Sequence, residues 1–340
     1  MQQTLFGKTR DGRQVHRYTL ASENLRLQVL DYGAAIQTLL VKDKDGQWRD
    51  VVLGYDTMEE YETRDGYFGA CIGRVGNRIG KGMATLRGQT LVLAKNDGEN
   101  HLHGGSRGFD KQLWQGQPGG DFVRFSRLSP DGEEGYPGNL EVSVTYRLAG
   151  NALQIAYDAL SDQDTLCSLT NHSYWNLNGE GSVLAHTLRV QADGFLENDA
   201  HCLPTGRILP VEGTPFDFRS PKTIGRDIRE NDRNLQNCGG YDHNFCLSGK
   251  APAAVLHSAQ SGITMEVETT LPGMQVYSGN FLTRRTGKGG AVYNTRDALC
   301  LETQYYPNAM ACEGFLKPIL RAGERYHQET NYIFWTQAEE

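Results

Sequence analysis

Apolar and polar residues alternate along this chain in short runs separated by turn residues. The clearest run is 140–148, Leu-Glu-Val-Ser-Val-Thr-Tyr-Arg-Leu; it turns through Ala149, Gly150, Asn151 and Ala152, and the alternation resumes over 153–159. Period-two alternation on both sides of a short Gly/Asn turn is the pattern of a β-hairpin. Shorter runs of the same kind fall at 25–29, 34–41, 51–53, 165–170, 263–269, 274–277 and 332–335. Helical periodicity is sparse: one turn is predicted within 57–63 and one short helix within 224–235. Many short strands with hardly any helix predict an all-β fold, a large antiparallel β-sandwich. No repeat of fixed period is present.

Composition adds detail without changing that picture. The 40 glycines among 340 residues follow no collagen-like period and punctuate tight turns. No Pro/Ser-rich linker or charge block divides the chain, so 1–340 is expected to form one continuous domain. The net charge of −7 and the lack of any Lys/Arg run argue against a nucleic-acid partner. The first residues lack the basic-then-apolar pattern of a secretory signal, and no run of about 18 apolar residues occurs, so no membrane partner and a cytoplasmic location are expected. A small molecule is the expected partner, with monomer or homodimer left open. Cys71, Cys167, Cys202, Cys238, Cys246, Cys300 and Cys312 are scattered with no Cys-x-x-Cys pair, which predicts reduced, mostly buried thiols and no zinc cluster.

Candidate chemistry lies in five stretches. Residues 170–181 set His172 among amides, hydroxyls, Tyr174 and Trp175, directly after a predicted strand. A histidine titrates near neutral pH, aromatics form a wall for a flat-faced ligand, and amides bind hydroxyls, a mixture that suits a sugar. Residues 73–79, Gly-Arg-Val-Gly-Asn-Arg-Ile, lack the Lys-Ser/Thr ending of a phosphate loop; Arg74 and Arg78 read equally as a solvated turn or as ligand contacts. Residues 100–110 place His101 and His103 on one face of a strand, half of a metal site without an evident third ligand, and glycines after His103 let backbone approach a ligand. Asp242 lies in 240–245. Glu302 sits inside the apolar run 299–307, either facing outward on an alternating strand or buried and used.

Six motifs recur in one order over nearly the whole chain: Gly-Arg-x-x-Asn-Arg-Ile at 73–79, Asn-x-Leu-His-Gly-Gly and Gly-Phe-Asp-Lys within 100–111, Thr-Asn-His-Ser-Tyr-Trp-Asn-Leu at 170–177, Gly-Tyr-Asp-His-Asn-Phe at 240–245, Tyr-Ser-Gly-Asn-Phe-Leu at 277–282 and Leu-Glu-Thr-Gln-x-x-Pro at 301–307. Together they closely resemble the aldose 1-epimerases, or galactose mutarotases. The resemblance implies a β-sandwich of the galactose-mutarotase type that acts on free aldohexoses without cofactor or metal. It implies further that Glu302 is the general base, His172 the general acid and His103 a second active-site histidine, with Arg78 and Asp242 holding sugar hydroxyls and Asn77 counted with them. His101 falls at a variable position of its motif. The sequence departs from many relatives after Pro307, where Asn308-Ala-Met-Ala-Cys-Glu-Gly follows.

Such a pair suits the chemistry. Opening a pyranose removes a proton from the C1 hydroxyl and delivers one to the ring oxygen, and the two groups exchange roles on closing, so each needs a pKa near the working pH. A buried glutamate is raised toward that range and a histidine starts there. Other readings use the same residues: a glycoside hydrolase on Asp242 and Glu302, a non-catalytic sugar-binding module, or a mutarotase of hexose 6-phosphates, which would need Arg74, Arg78 or Lys111 to converge on a phosphate.

Overall fold

A computed structural model describes residues 2–336. The alternating runs become three antiparallel sheets of five, nine and six strands, joined by short two-stranded ribbons. The predicted hairpin is present as Leu140–Ala149 and Ala152–Ser161, paired in register from Leu140 with Ser161 to Ala149 with Ala152. It lies at the centre of the nine-stranded sheet, where Arg325–Thr336 pairs with Ala152–Ser161 on one side and with Ile263–Thr269 on the other. The run 165–170 is less regular than predicted: only Thr165–Leu166 and Thr170–Asn171 form ladders, leaving His172 just past a strand end.

Both predicted helical segments contain a short helix. Met58–Thr63 begins on Thr57, whose hydroxyl accepts from the Glu60 amide while Glu60 accepts in return from the Thr57 amide, a capping box. The second helix is only Arg233–Cys238, capped by Asp232 and ended by Gly239 at φ +66°. It lies at the end of the expected 224–235 window and runs past it, and residues 224–230 form turns and a bend. No helix among the described residues is long and apolar enough to cross a membrane.

The main core lies between the nine- and six-stranded sheets and runs under the five-stranded one. Trp175 packs on Tyr332 with ring centroids 4.7 Å apart, and the Tyr332 hydroxyl donates to the Leu301 carbonyl at 3.2 Å. All seven cysteines are free thiols, and all but Cys246 are buried.

Arg74 settles one of the two readings of its motif. Its guanidinium is 1 % exposed and donates to Ser129 Oγ (2.9 Å), Thr165 Oγ1 (3.2 Å) and the carbonyls of Ser129, Pro130, Pro137 and Gly138 (2.8 to 3.0 Å). It is a clamp that ties the 73–79 loop to residues 129–138, neither solvated nor directed at a ligand. An uncharged replacement orphans those carbonyls, and a buried unpaired acceptor costs about 1–3 kcal/mol. Arg74→Met is therefore expected to lower unfolding free energy by about 3 kcal/mol or more in urea titrations; a loss under about 1 kcal/mol would contradict the clamp.

Candidate active site

The six-stranded sheet shows why a glutamate can interrupt an apolar run. Its central strands are Leu299–Gln304, Gly273–Tyr277 and Asp242–Leu247, paired so that Gln275 faces Glu302, Tyr277 faces Cys300, Asp242 faces Tyr277 and Asn244 faces Gln275. Directly opposed residues share a face, so these groups line one side of the sheet. Leu301, Val276, His243 and Phe245 take the other, and Leu301, Val276 and Phe245 belong to the main core. Both readings of Glu302 were half right: it points away from the core, yet loops cover that face and it is 2 % exposed.

Those loops carry the remaining site residues and enclose a cleft of about 310 Å³. Tyr67, Asn77, Arg78, Asn96, His103, His172 and Tyr174 close over Asp242, Tyr277 and Glu302, with Phe281 and Arg285 at its edge. The expected Glu302, His172, His103, Arg78, Asp242 and Asn77 thus line one cavity.

His172 and Glu302 are adjacent. Nε2 lies 3.6 Å from Oε1, while Oε2 is buried without a hydrogen-bond partner. Burial depresses the imidazole pKa to about 4. Burial, reinforced by Asp242 and opposed by Arg78, pushes the Glu302 carboxyl well above the usual carboxylate range. His172 is packed between Tyr174 (5.0 Å, stacked) and Tyr67 (5.7 Å, stacked), and its Nδ1 lies 3.7 Å from Cys300 Sγ.

His103 adopts φ +51°, and its Nδ1 accepts the Asn77 amide at 3.1 Å. An accepting Nδ1 in a neutral ring puts the proton on Nε2. Neutrality is enforced by burial and by His172 and Arg78, which hold its pKa well below the ordinary value. The Asn77 side-chain oxygen accepts the Arg78 amide (2.8 Å), so only its NH₂ group is left for a ligand. Arg78 donates through Nε to Asp97 (2.8 Å), and its Nη1 lies 3.9 Å from Asp242. Burial works against the Arg78 charge, but Asp242 and Asp97 outweigh it and keep the guanidinium firmly protonated. Asp242 Oδ1 accepts from Gln275 (2.7 Å), which takes a further bond from Gln304 (3.3 Å). The atypical segment after Pro307 also serves this site. Asn308 donates its amide to the Arg78 carbonyl (2.9 Å) and accepts the Gly80 amide on Oδ1 (3.1 Å), fixing the backbone on which Arg78 is carried.

Several expectations fail for packing reasons. Trp175 is not part of an aromatic wall; strand alternation after Tyr174 turns it into the core. The amides of 170–181 do not face a ligand: Asn171 bonds the Gly69 carbonyl and Ser173, and Asn176 bonds the carbonyls of Gly181 and Asp297. Gly104, at φ +86°, admits the Gly73 carbonyl rather than a ligand; a Cβ there would lie 1.8 Å from that oxygen. His101 is turned away from His103, bonded to the Ala94 carbonyl and the Tyr136 hydroxyl. Lys111 donates to the carbonyls of Tyr61 and Arg64, so neither it nor Arg74 converges with Arg78. Missed by sequence reasoning were Tyr67, Tyr277, Gln275 and Asp97. Gln275 and Tyr277 lay in a recognised alternating strand and were legible as its polar-face positions once Glu302 was assigned; no local signal marked Tyr67 or Asp97.

The expected half-site of His101 and His103 does not form, because His101 is held by Ala94 and Tyr136, and His103 instead joins His172 and Glu302. Ligand atoms of His103, His172 and Glu302 lie within 4.8 Å of one another, a set that can accept a metal ion geometrically.

Residues 16–333 match the family model described as aldose 1-epimerase. The galactose mutarotase of Sus scrofa is 47% identical over 326 residues, covering 94% of each chain. The aldose 1-epimerase of Escherichia coli (strain K12) is 37% identical over 334 residues, covering 95% of this chain and 96% of that one. Among solved structures, an aldose epimerase homologue from C. elegans superposes with a TM-score of 0.88 at 34% identity, covering 94% of this chain and 98% of that one. The galactose 1-epimerase of Lactobacillus acidophilus NCFM gives 0.87 at 29% identity, covering 98% of each.

Burial of Glu302 has a thermodynamic signature. Because its folded pKa is raised, its favourable contribution is complete below the unfolded value of about 4.3 and is lost as pH rises through the folded value. Glu302→Gln removes that loss. The variant is expected to be more stable than wild type by about 1–3 kcal/mol at pH 8, with the difference vanishing near pH 4. Thermal unfolding at the two pH values checks this, and a destabilised variant at pH 8 would contradict it.

Proposed function

The chain belongs to the aldose 1-epimerase family and interconverts the anomers of aldoses; from that premise we propose that Glu302 and His172 are the base and acid of ring opening, on free hexoses such as galactose and glucose. The single observation that carries this reading is the 3.6 Å approach of His172 Nε2 to Glu302 Oε1 within the cleft, with Oε2 unpartnered. An orphaned buried carboxylate oxygen is costly and is explained by a substrate hydroxyl that completes it.

In the forward half, Glu302 takes the proton of the C1 hydroxyl and His172 delivers one to the ring oxygen. The C1–O5 bond breaks, its electron pair stays on O5, and C1 becomes an aldehyde. Rotation about C1–C2 turns the other carbonyl face to O5, and closure returns both protons with the roles reversed. Positioned proton transfer of this kind contributes roughly 10²–10⁴-fold per group. Burial disfavours the carboxylate–imidazolium form of the pair, and sugar hydroxyls that bond to the carboxylate restore it. His103, neutral with its proton on Nε2, donates to a ring or hydroxyl oxygen and is the third catalytic group. Arg78 as donor and Asp242 as acceptor hold hydroxyls farther round the ring, with the Asn77 amide as a further donor.

The alternatives are less well supported. Arg74 and Lys111 are engaged elsewhere, and of the two arginines at the cleft Arg78 is paired with Asp97 and Arg285 with Asp65 (2.6 Å), which leaves a 6-phosphate without a free basic cluster. Asp242 is tied to Gln275 and adjoins Arg78, an arrangement for binding rather than for attack on a glycosidic carbon.

Polarimetry tests the assignment. Glu302→Gln is expected to lose about a thousandfold or more of turnover while galactose binding remains detectable; equilibration of α-glucose at the wild-type rate would overturn it. His172→Asn is expected to lose turnover, and a change confined to apparent affinity would make it a binding residue. The pH profile follows from the shared proton. The pair takes up a second proton as pH falls through the depressed imidazole value near 4 and loses its only one as pH rises through the raised carboxyl value. Activity is therefore expected to hold down through pH 6, below the ordinary imidazole range, and to fall at alkaline pH. An acid limb centred at the ordinary histidine value of about 6.5 would contradict the buried pair.

A further inference from the structure

One cluster of metal-ligating groups lies outside the acid/base pair. Cys202, Cys238 and Asp242 are all buried, and their ligand atoms lie within 4.8 Å of one another. Three separate elements deliver them: the turn between the strands Ala192–Asn198 and Pro204–Pro210, the last residue of the helix Arg233–Cys238, and the first residue of the strand Asp242–Leu247. A single amide braces the group. Asn198 Nδ2 donates both to Cys238 Sγ (3.6 Å) and to the Asp242 carbonyl (2.9 Å), and its Oδ1 is buried with no partner in the protein. Asn237 completes the frame, its NH₂ donating to the Asn198 carbonyl (2.8 Å) while its own carbonyl lies 3.8 Å from Cys202 Sγ.

We propose that Cys202, Cys238 and Asp242 form an inhibitory site for a thiophilic divalent cation, zinc or cadmium, entered from the sugar cleft. Tetrahedral zinc with bonds of about 2.3 Å to sulfur needs its sulfur ligands about 3.8 Å apart, within reach of groups already held inside 4.8 Å. Two thiols give up their protons to solvent as two metal–sulfur bonds form, and the carboxylate supplies the third ligand. The product carries one net negative charge, and Arg78, with Nη1 3.9 Å from Asp242, lies beside it to balance that charge. Asp242 is the member of the set that also lines the cleft, so an ion held there sits against the cleft wall. Once it holds the ion, Asp242 no longer accepts a sugar hydroxyl, so the ion competes with substrate. This consequence rests on Asp242 as a sugar contact; formation of the site does not.

The two statements are tested separately on the reduced, chelator-treated full chain. Cadmium titration of wild type is expected to develop ultraviolet thiolate-to-cadmium charge-transfer absorption that saturates at one ion per chain. Zinc is expected to raise the apparent KM for galactose, with EDTA restoring it. Cys202→Ser and Cys238→Ser should each weaken binding and inhibition at least about tenfold while basal mutarotation persists, and Cys246→Ser should keep both effects. Zinc inhibition that survives in the Cys202→Ser/Cys238→Ser double variant would overturn the site and put the ion on His103, His172 and Glu302. Absence of the thiolate band in wild type overturns it without recourse to variants, so a misfolded variant cannot rescue the proposal. A band that saturates at one ion with KM unmoved would overturn the inhibition and, with it, the sugar contact of Asp242.

Discussion

A carboxylate buried beside a neutral imidazole, with one oxygen left unpaired, is the constraint around which this structure is built. Its surroundings resist the ionisation of Glu302: burial and Asp242 both oppose it, and Arg78 only partly relieves it. His172 is likewise pressed toward neutrality by burial. Such a pair persists because the fold around it is over-determined. The strand that carries Glu302 is hydrogen-bonded on both sides, and the histidine is boxed between two tyrosine rings.

The polar groups of the candidate motifs divide into those fixed by the protein away from the cleft and those that line it with a valence free. Arg74, His101 and the amides of Asn171 and Asn176 are saturated by internal partners, so their polarity is structural. His103 keeps one nitrogen engaged by the Asn77 amide, and Asp242 keeps one oxygen engaged by Gln275. A half-satisfied group of this kind is pre-aimed: the internal bond sets its orientation and tautomer, and the remaining valence points at the ligand. Among chemically similar residues near one cleft, this difference separates scaffold from site better than burial does.

The same logic links the acid/base pair to the thiol cluster. Asp242 belongs to both, as the first residue of its strand and the neighbour of the Arg233–Cys238 helix end. On the two proposals made above, a sugar hydroxyl and a soft cation contend for this one carboxylate.

Much of this was legible in the sequence because it depends on local periodicity. Period-two alternation at 140–159 and 263–269 predicted the strands that form, since a strand with one buried face must repeat every second residue. Glu302 stood out because a charge inside an apolar run is expensive. The motifs that resemble the aldose 1-epimerases carried Glu302, His172, His103, Arg78, Asp242 and Asn77 to one site before any distance was known. What the sequence could not decide was direction and depth. Two arginines four residues apart read alike until the fold buried Arg74 under a ring of carbonyls and left Arg78 at the cleft; Tyr174 and Trp175 read alike until alternation sent them to opposite faces. The grouping of His103 with His172 and Glu302, the tyrosine box and the closeness of Cys202 to Cys238 and Asp242 depend on contacts between segments far apart along the chain. Only tertiary packing sets those, because side-chain periodicity says which face a residue takes and not what lies across from it.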